Sequence, residues 1–582
     1  MSKSTAGERV NRLQGKWGWL VLVPLLVLAP RVQAQSPMDN RTVSATLHSS
    51  ISDGEQRITS LQVSVEMPAD ALAAGAPLLR MPLVISNVRT AATGLHDLRV
   101  RDDNGPLPLT HDDDKSGQKT YRHWKAARAV HGPLKLSYRV DITNGANPLG
   151  AAPPFELRSE GGTFSGLTGS FLLLPDGNRK YRLKLRWDLA SLGGKPLGVS
   201  TLGLGDQLSA AMQPEQLESI FLMGGQLGHE PAHPVADGFF SAWQGTPPFD
   251  ARALMQWTHR LYTSYLKFFD ARNVAYSVYL RRNPINPGGG VEVANSFVGT
   301  FDEHTSVDAF KMTLAHEMVH TFVGALDAKD ELAASWFSEG LAVYYERLLP
   351  LRAGLITREA YLSDLNVTAA RYYTDALNTT PNDRIAERFW PDTRIRVLPY
   401  DRGALYFAQV NAAIRSASKG KRSLDDLVLA LLQHRATGQP LTERDWVASV
   451  TRDLGAGGKQ QFEDMMSGRP IVLRTDAFGP CFRRVTLPLR RYQLGFTPDV
   501  LIEPTRIVRG LIPDSTAAQA GIRNGDEILE PVPQDGIQAD QHARLQLKIR
   551  RAGQVMDISY LPRGEVVDAY QWVESTKPDC DM

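Results

Sequence analysis

Residues 313–321 read Thr-Leu-Ala-His-Glu-Met-Val-His-Thr, an apolar-periodic run with two histidines four positions apart. For His316 and His320 to serve one metal ion the run must be an α-helix, where residues four apart sit about 40° from one another around the axis and about 6 Å apart along it. Zinc suits this donor type. Glu317 lies beside the first histidine but off the ligand stripe, where it faces the attacking water instead of the metal, as a general base must. Thr305 and Asp308 are placed to form a capping box ahead of this helix, and Gly324 suits its C-terminal end.

A third ligand follows at a workable distance. Fewer than twenty residues beyond His320, Glu339 stands in Trp336-Phe337-Ser338-Glu339-Gly340 on the next expected helix, which runs from about residue 331 to 349. Ligands of His, His and Glu type leave the fourth zinc position for water, as hydrolysis requires, whereas a structural site normally closes all four, often with cysteine. No cysteine lies near. The chain has only two, Cys481 and Cys580, flanking its last domain-sized segment, where an oxidising compartment would let them close one long loop.

At 582 residues the chain is too long for a single core, so two to four domains are expected. A net charge of +2 without a long basic run removes the electrostatic case for nucleic acid. The first residues read as a leader: Lys3, Arg9, Arg12 and Lys16 precede an apolar stretch from Trp17 to Ala29, and Val32-Gln33-Ala34 offers small residues for cleavage. A signal peptide over residues 1–34 implies an exported protein, periplasmic or secreted. No other segment approaches the length of a membrane span, so no stable span is expected after cleavage.

Residues 35–235 are mostly of period two. Leu134, Leu136, Tyr138, Val140 and Ile142 alternate with polar residues, as do Tyr181, Leu183, Leu185 and Trp187, so an antiparallel β-sandwich-like N-terminal domain is expected. Over residues 236–355 the pattern mixes strands and helices. Asp250 can cap a helix with Leu254, Trp257, Leu261 and Tyr265 on one face, and a glycine turn at Gly288, Gly289 and Gly290 leads into a candidate edge strand carrying Glu292. Residues 356–480 are helical, including 403–416 and 423–434. A strand-rich module spans 487–565, and 566–582 reads as a tail. The fold class is therefore multidomain α+β.

These motifs together resemble the glycyl aminopeptidase family of gluzincin zinc metallopeptidases. The resemblance rests on the zinc helices, on Gly288-Gly289-Gly290-Val291-Glu292 followed by Ser296, on Tyr400-Asp401-Arg402-Gly403 and on the C-terminal module, and it departs at Val293, where a histidine is expected. It implies a thermolysin-like α+β catalytic domain, a helical part of the same unit and a C-terminal PDZ domain. It also implies one Zn2+ per chain on His316, His320 and Glu339, water activation by Glu317 and an oxyanion hydrogen bond from Tyr400. Tyr344 and Tyr345 are rivals for that last role. Glu292 would hold a substrate's α-ammonium group, while Gly288, Gly289 and Gly290 align the peptide as an added strand. Ala520-Gly521-Ile522 through Leu529 resembles a PDZ domain, and Leu494-Gly495-Phe496 its carboxylate-binding loop, which departs at Tyr492-Gln493 where a further glycine is expected; the module is read either as binding a C-terminal peptide, beside peptide or protein substrates, or as a purely structural cap on the catalytic domain. Three functions stay open at this point: an aminopeptidase, an endopeptidase whose PDZ module selects substrates, and a noncatalytic PDZ-containing peptide-binding or chaperone-like protein.

Overall fold

The computed structural model describes residues 41–575 except 52–56, 115–119, 145–152, 234, 236–237, 273, 284–287, 294, 531 and 533. The expected leader and Cys580 lie outside the described residues, so the proposed bridge from Cys481, itself buried, is not described either. Near the N-terminus, alternation builds a seven-stranded sheet whose long members are β1 (Thr42–Ile51), β2 (Ile58–Met67), β3 (Leu95–Asp102), β4 (Leu134–Asp141) and β5 (Arg182–Asp188). Their order is β5-β1-β2-β4-β3. The inward residues of β4, Leu134, Leu136, Tyr138 and Val140, are all at most 3% exposed, as period two requires. One pairing departs from the expected antiparallel arrangement: β1 and β5 run parallel, with Val43 opposite Leu183 and Ala45 opposite Leu185. A four-stranded sheet including Pro77–Pro82 and Tyr121–Ala126 shares this core through Leu79, Met81 and Trp124.

A third N-terminal sheet, including Thr163–Leu167 and Phe221–Gly225, lies against the sheet of the next domain. Leu167, Phe221 and Met223 from one side pack on Tyr279, Val291 and Val298 from the other. That second sheet holds β6 (Phe239–Trp243), β7 (Tyr276–Arg282), β8 (Gly290–Val293) and β9 (Ser296–Phe301). β6, β7 and β9 are parallel, while β8 is antiparallel to β9 and forms one edge. Residues 228–230 already pair with β6, so this sheet begins before the expected boundary at 236.

Helix α1 (Ala251–Phe268) starts at Asp250, whose side chain accepts from the Ala253 N–H, and buries Leu254, Trp257, Leu261 and Tyr265. Then come α2 (Val307–Val323), α3 (Glu331–Arg352), α4 (Arg358–Thr374), α5 (Leu398–Ala417), α6 (Leu424–Ala436), α7 (Glu443–Leu454) and α8 (Ala456–Met466). α5 begins five residues earlier than its sequence pattern indicated, which places Tyr400 inside its first turn. Among the described residues no helix is long and apolar enough to cross a membrane.

The chain ends in a small β-rich unit with its own core, including Tyr492, Phe496, Val508, Ile522 and Ile549. Its strands include β10 (Phe482–Tyr492), β11 (Leu545–Arg551), β12 (Gln554–Tyr560) and β13 (Arg563–Glu574). β10 and β13 pair along their length, so residues 566–574, expected as tail, are strand, and the unit begins at 482 instead of 487. This two-stranded ribbon is pinned to α4. The Asn366 amide donates to the Trp572 carbonyl at 2.8 Å and accepts from the Trp572 N–H at 2.7 Å.

Candidate active site

Helix α2 is apolar on every side that meets protein. Leu314, Ala315, Met318 and Val319 are fully buried, Glu317 is fully buried and His316 is 2% exposed. A helix of this kind belongs inside a domain, and α2 lies there between α1 and α3, with the Tyr265 hydroxyl donating to the Ala315 carbonyl at 3.2 Å. Its N-cap is Ser306, whose hydroxyl accepts from the Ala309 N–H, and not Thr305. The Thr305 hydroxyl is engaged one turn earlier, donating to Asp302 and accepting from the Asp302 N–H, while Asp308 pairs with Lys311 at 3.1 Å. Gly324 closes the other end at φ +62°.

His316, His320 and Glu339 converge. The two Nε2 atoms are 3.2 Å apart, and each lies 3.3 Å from Glu339 Oε2. Donor atoms about 2.0–2.2 Å from a tetrahedral zinc are separated by roughly 3.3–3.5 Å. This near-equilateral triangle of lone pairs therefore fits one zinc ion. The surrounding charge agrees with the geometry. Burial pushes Glu339 up, but the two imidazoles outweigh it and hold the carboxyl at about 2. Burial disfavours charge on both histidines, yet Glu339 and Glu346 raise His316 well above its ordinary value, and Glu339 raises His320. The pocket is built to hold positive charge. Among the described residues it is the one group of three or more His, Cys, Asp or Glu donors able to share an ion.

Glu346 was not foreseen. It accepts from His316 Nδ1 at 2.7 Å, which fixes the ring's tautomer and leaves Nε2 free to ligate. The available sequence signal was its position seven residues after Glu339, two helical turns on and on the same face of α3. Behind it, Arg347 pairs with Asp364 of α4 at 2.8 Å. Tyr276 is a second addition. Its hydroxyl on β7 is fully buried without a hydrogen-bond partner among the described residues, and burial together with the charges of Glu317 and Glu292 raises its pKa.

Glu317, Tyr400 and Glu292 lie beside the triad. Neither carboxylate oxygen of Glu317 has a hydrogen-bond partner among the described residues, and burial lifts this group to about 7 against the opposing pull of His316 and His320. The Tyr400 ring stacks on that of His316, with centroids 6.0 Å apart and planes inclined by 19°. Tyr344 and Tyr345 are directed elsewhere: Tyr345 donates to Asp425 of α6 at 3.1 Å, and Tyr344 packs on Tyr345. On β8, Val291 and Val293 are buried in the core below, so period two turns Glu292 to the opposite face. Glu292 is only partly covered as a residue, but its carboxyl end is enclosed, and burial raises it against the charges of His320 and His316. Gly288, at φ +79°, donates to the Thr300 carbonyl, and the Thr300 N–H donates to Gly289. A side chain at Gly290 would lie 2.2 Å from the Phe297 ring. These glycines seat β8 tightly on β9 while its other side remains a sheet edge.

The model of the M61 glycyl aminopeptidase family matches residues 309–382, which span both zinc helices and α4 but stop short of Tyr400 and begin after Glu292. No curated protein matches the chain. Among solved structures, an aminopeptidase N family protein from Idiomarina loihiensis is similar in fold, with 14% identity, a TM-score of 0.63 and coverage of 91% of this chain and 98% of that one. An M1 zinc metallopeptidase from Deinococcus radiodurans has 16% identity, a TM-score of 0.41 and coverage of 75% and 94%. Yeast LTA4 hydrolase has 12% identity, a TM-score of 0.40 and coverage of 74% and 68%. With the triad and the family match in hand, the chain is a zinc metallopeptidase acting on peptide substrates, and its cofactor is zinc.

Proposed function

We propose that the protein is an exported aminopeptidase that removes residues from the N-termini of peptides. The observation that carries this is Glu292. Its carboxyl lies close enough to the triad to feel the charges of His320, Glu339 and His316, on a strand that pairs on one side only among the described residues. A peptide laid along that edge would bring its α-ammonium group to Glu292 and its first peptide bond to the triad.

His316, His320 and Glu339 would hold the zinc, which when bound would supply Lewis acidity to polarise the scissile carbonyl and to make water nucleophilic near neutral pH. Glu317 accepts the proton of the attacking water and later gives it to the leaving amine. Its two oxygens have no hydrogen-bond partner among the described residues and are free for this transfer. Tyr400, stacked on His316, donates its hydroxyl proton in a hydrogen bond to the developing oxyanion. Glu346 keeps His316 in the ligating tautomer.

The C-terminal unit reads as a PDZ domain. Support comes from the Leu494-Gly495-Phe496 loop, with Gly495 at φ +93°, and from the Ala520–Leu529 turn. Its ligand would be a peptide C-terminus.

Peptides with free and acetylated N-termini test the amine anchor. The wild-type enzyme should cleave only the free form, and Glu292→Ala should lower kcat/KM on it by roughly 10²-fold or more, the cost of leaving a buried ammonium unpaired. Equal loss on free and acetylated peptides would remove the assignment.

A further inference from the structure

We propose that Arg371 is a positioning residue for peptide hydrolysis, acting on Tyr400 through Asp401. This rests on Tyr400 as the oxyanion donor.

Tyr400 lies in the first turn of α5, which follows directly on the helical turn Thr393–Arg396; Val397 joins the two in helical conformation, and no side chain caps α5 itself. A hydroxyl that must meet a developing charge tolerates little displacement. The three residues after Tyr400 restrain it by tertiary contacts. Asp401 is fully buried and accepts a two-pronged bond from Arg371, Nε to Oδ2 at 2.9 Å and Nη2 to Oδ1 at 2.5 Å. Arg402 donates to Asn382 Oδ1 at 2.6 Å and to the carbonyls of Asn378 and Thr380. Gly403 meets Gly340 backbone to backbone. A side-chain carbon at Gly403 would lie 2.5 Å from the Trp336 carbonyl, and one at Gly340 would lie 2.6 Å from the Gly403 Cα. That last contact ties the turn to the residue directly after the ligand Glu339.

Arg371 stands apart from these because of the helix it comes from. Asp364, Thr368 and Arg371 share one face of α4. Asp364 pairs with Arg347, and Thr368 accepts from the same guanidinium at 2.8 Å. Arg347 is the neighbour of Glu346, which orients His316. One helix face therefore sets both the ligating imidazole and the turn bearing Tyr400. A planar guanidinium on a carboxylate fixes direction as well as charge, and lysine cannot reproduce the fork.

The test is a double-mutant cycle on the zinc-loaded full chain with Arg371→Lys and Tyr400→Phe. Tyr400→Phe should lower kcat by roughly 10²-fold, the usual loss of an oxyanion donor. Arg371→Lys should lower kcat by about 10-fold with KM within about twofold and with zinc content unchanged, and the double variant should be no slower than Tyr400→Phe alone. An Arg371→Lys enzyme as fast as wild type overturns the proposal, as do loss of zinc or a defect that multiplies onto Tyr400→Phe. Should Arg371→Lys not fold, Asp401→Asn, equal in size, goes through the same cycle with the same criteria. A fully active Tyr400→Phe enzyme would sink the oxyanion role and this proposal together, whereas an impaired Tyr400→Phe with multiplying defects sinks the proposal alone.

Discussion

Glu317 is the general base of the proposed chemistry. A carboxyl group buried without a partner is costly, and the fold retains one with both oxygens unsatisfied at the mouth of a three-donor triangle. Glu317→Gln keeps the shape and the ligands but cannot take a proton. It should bind one zinc per chain by metal analysis while kcat falls about 10²–10⁴-fold. Retained turnover, with contaminating peptidase excluded, would contradict the role. This residue and its two histidines could be read from the chain because helical spacing alone brings them together. Glu346 could not, because its partner His316 lies on a different helix, and only the packing of α3 on α2 brings a carboxylate to the outer ring nitrogen. Tyr400 is the oxyanion donor that the sequence resemblance implies, with Tyr344 and Tyr345 as rivals, and α6 engages Tyr345 elsewhere.

At the scale of the element, α4 is held at its end by an unusual residue. Asp375 follows its last turn, where the helix dipole already disfavours negative charge, and it is 3% exposed with one carboxylate oxygen unpartnered. Burial pushes its pKa from 3.8 to about 7, with Arg394 opposing. A folded-state value above the unfolded one gives stability that is complete below about pH 4 and is lost as the pH rises through about 7. Asp375→Asn, which keeps an acceptor for the Leu377 N–H, should therefore melt progressively higher than wild type as pH goes from 5 to 8, with a limiting gain of up to roughly 3–4 kcal/mol. A gap that does not change with pH would count against a neutral buried Asp375. Element positions were mostly readable, since α1, α2 and α3 follow from periodicity and caps. What escaped was set from outside each element. The cap moved from Thr305 to Ser306 because Asp302 holds the threonine, and α5 extended back over Tyr400 because Asp401, Arg402 and Gly403 are anchored by other helices.

In the molecule as a whole, the sheets of the N-terminal part, the zinc domain, the helices and the terminal β-unit form a connected series. Strand alternation revealed the inward faces of the N-terminal sheet but not the parallel pairing of β1 with β5, because period two reports burial and says nothing of partners. Likewise β13 looked like tail until its register with β10 and its grip on Asn366 joined it to α4. The same α4 faces the active site through Asp364 and Arg371, so the terminal ribbon and the catalytic groups share one support. The proposed aminopeptidase works at its zinc site on the free N-terminus of a peptide. Its most direct test is a mixed peptide library, half free and half acetylated at the N-terminus, digested by the enzyme as purified, after chelation and after zinc is restored, with products read by mass. Loss of single N-terminal residues from the free half alone, stopped by chelation and restored by zinc, is the predicted result; internal cuts in both halves, or cleavage that survives removal of the metal, would contradict it.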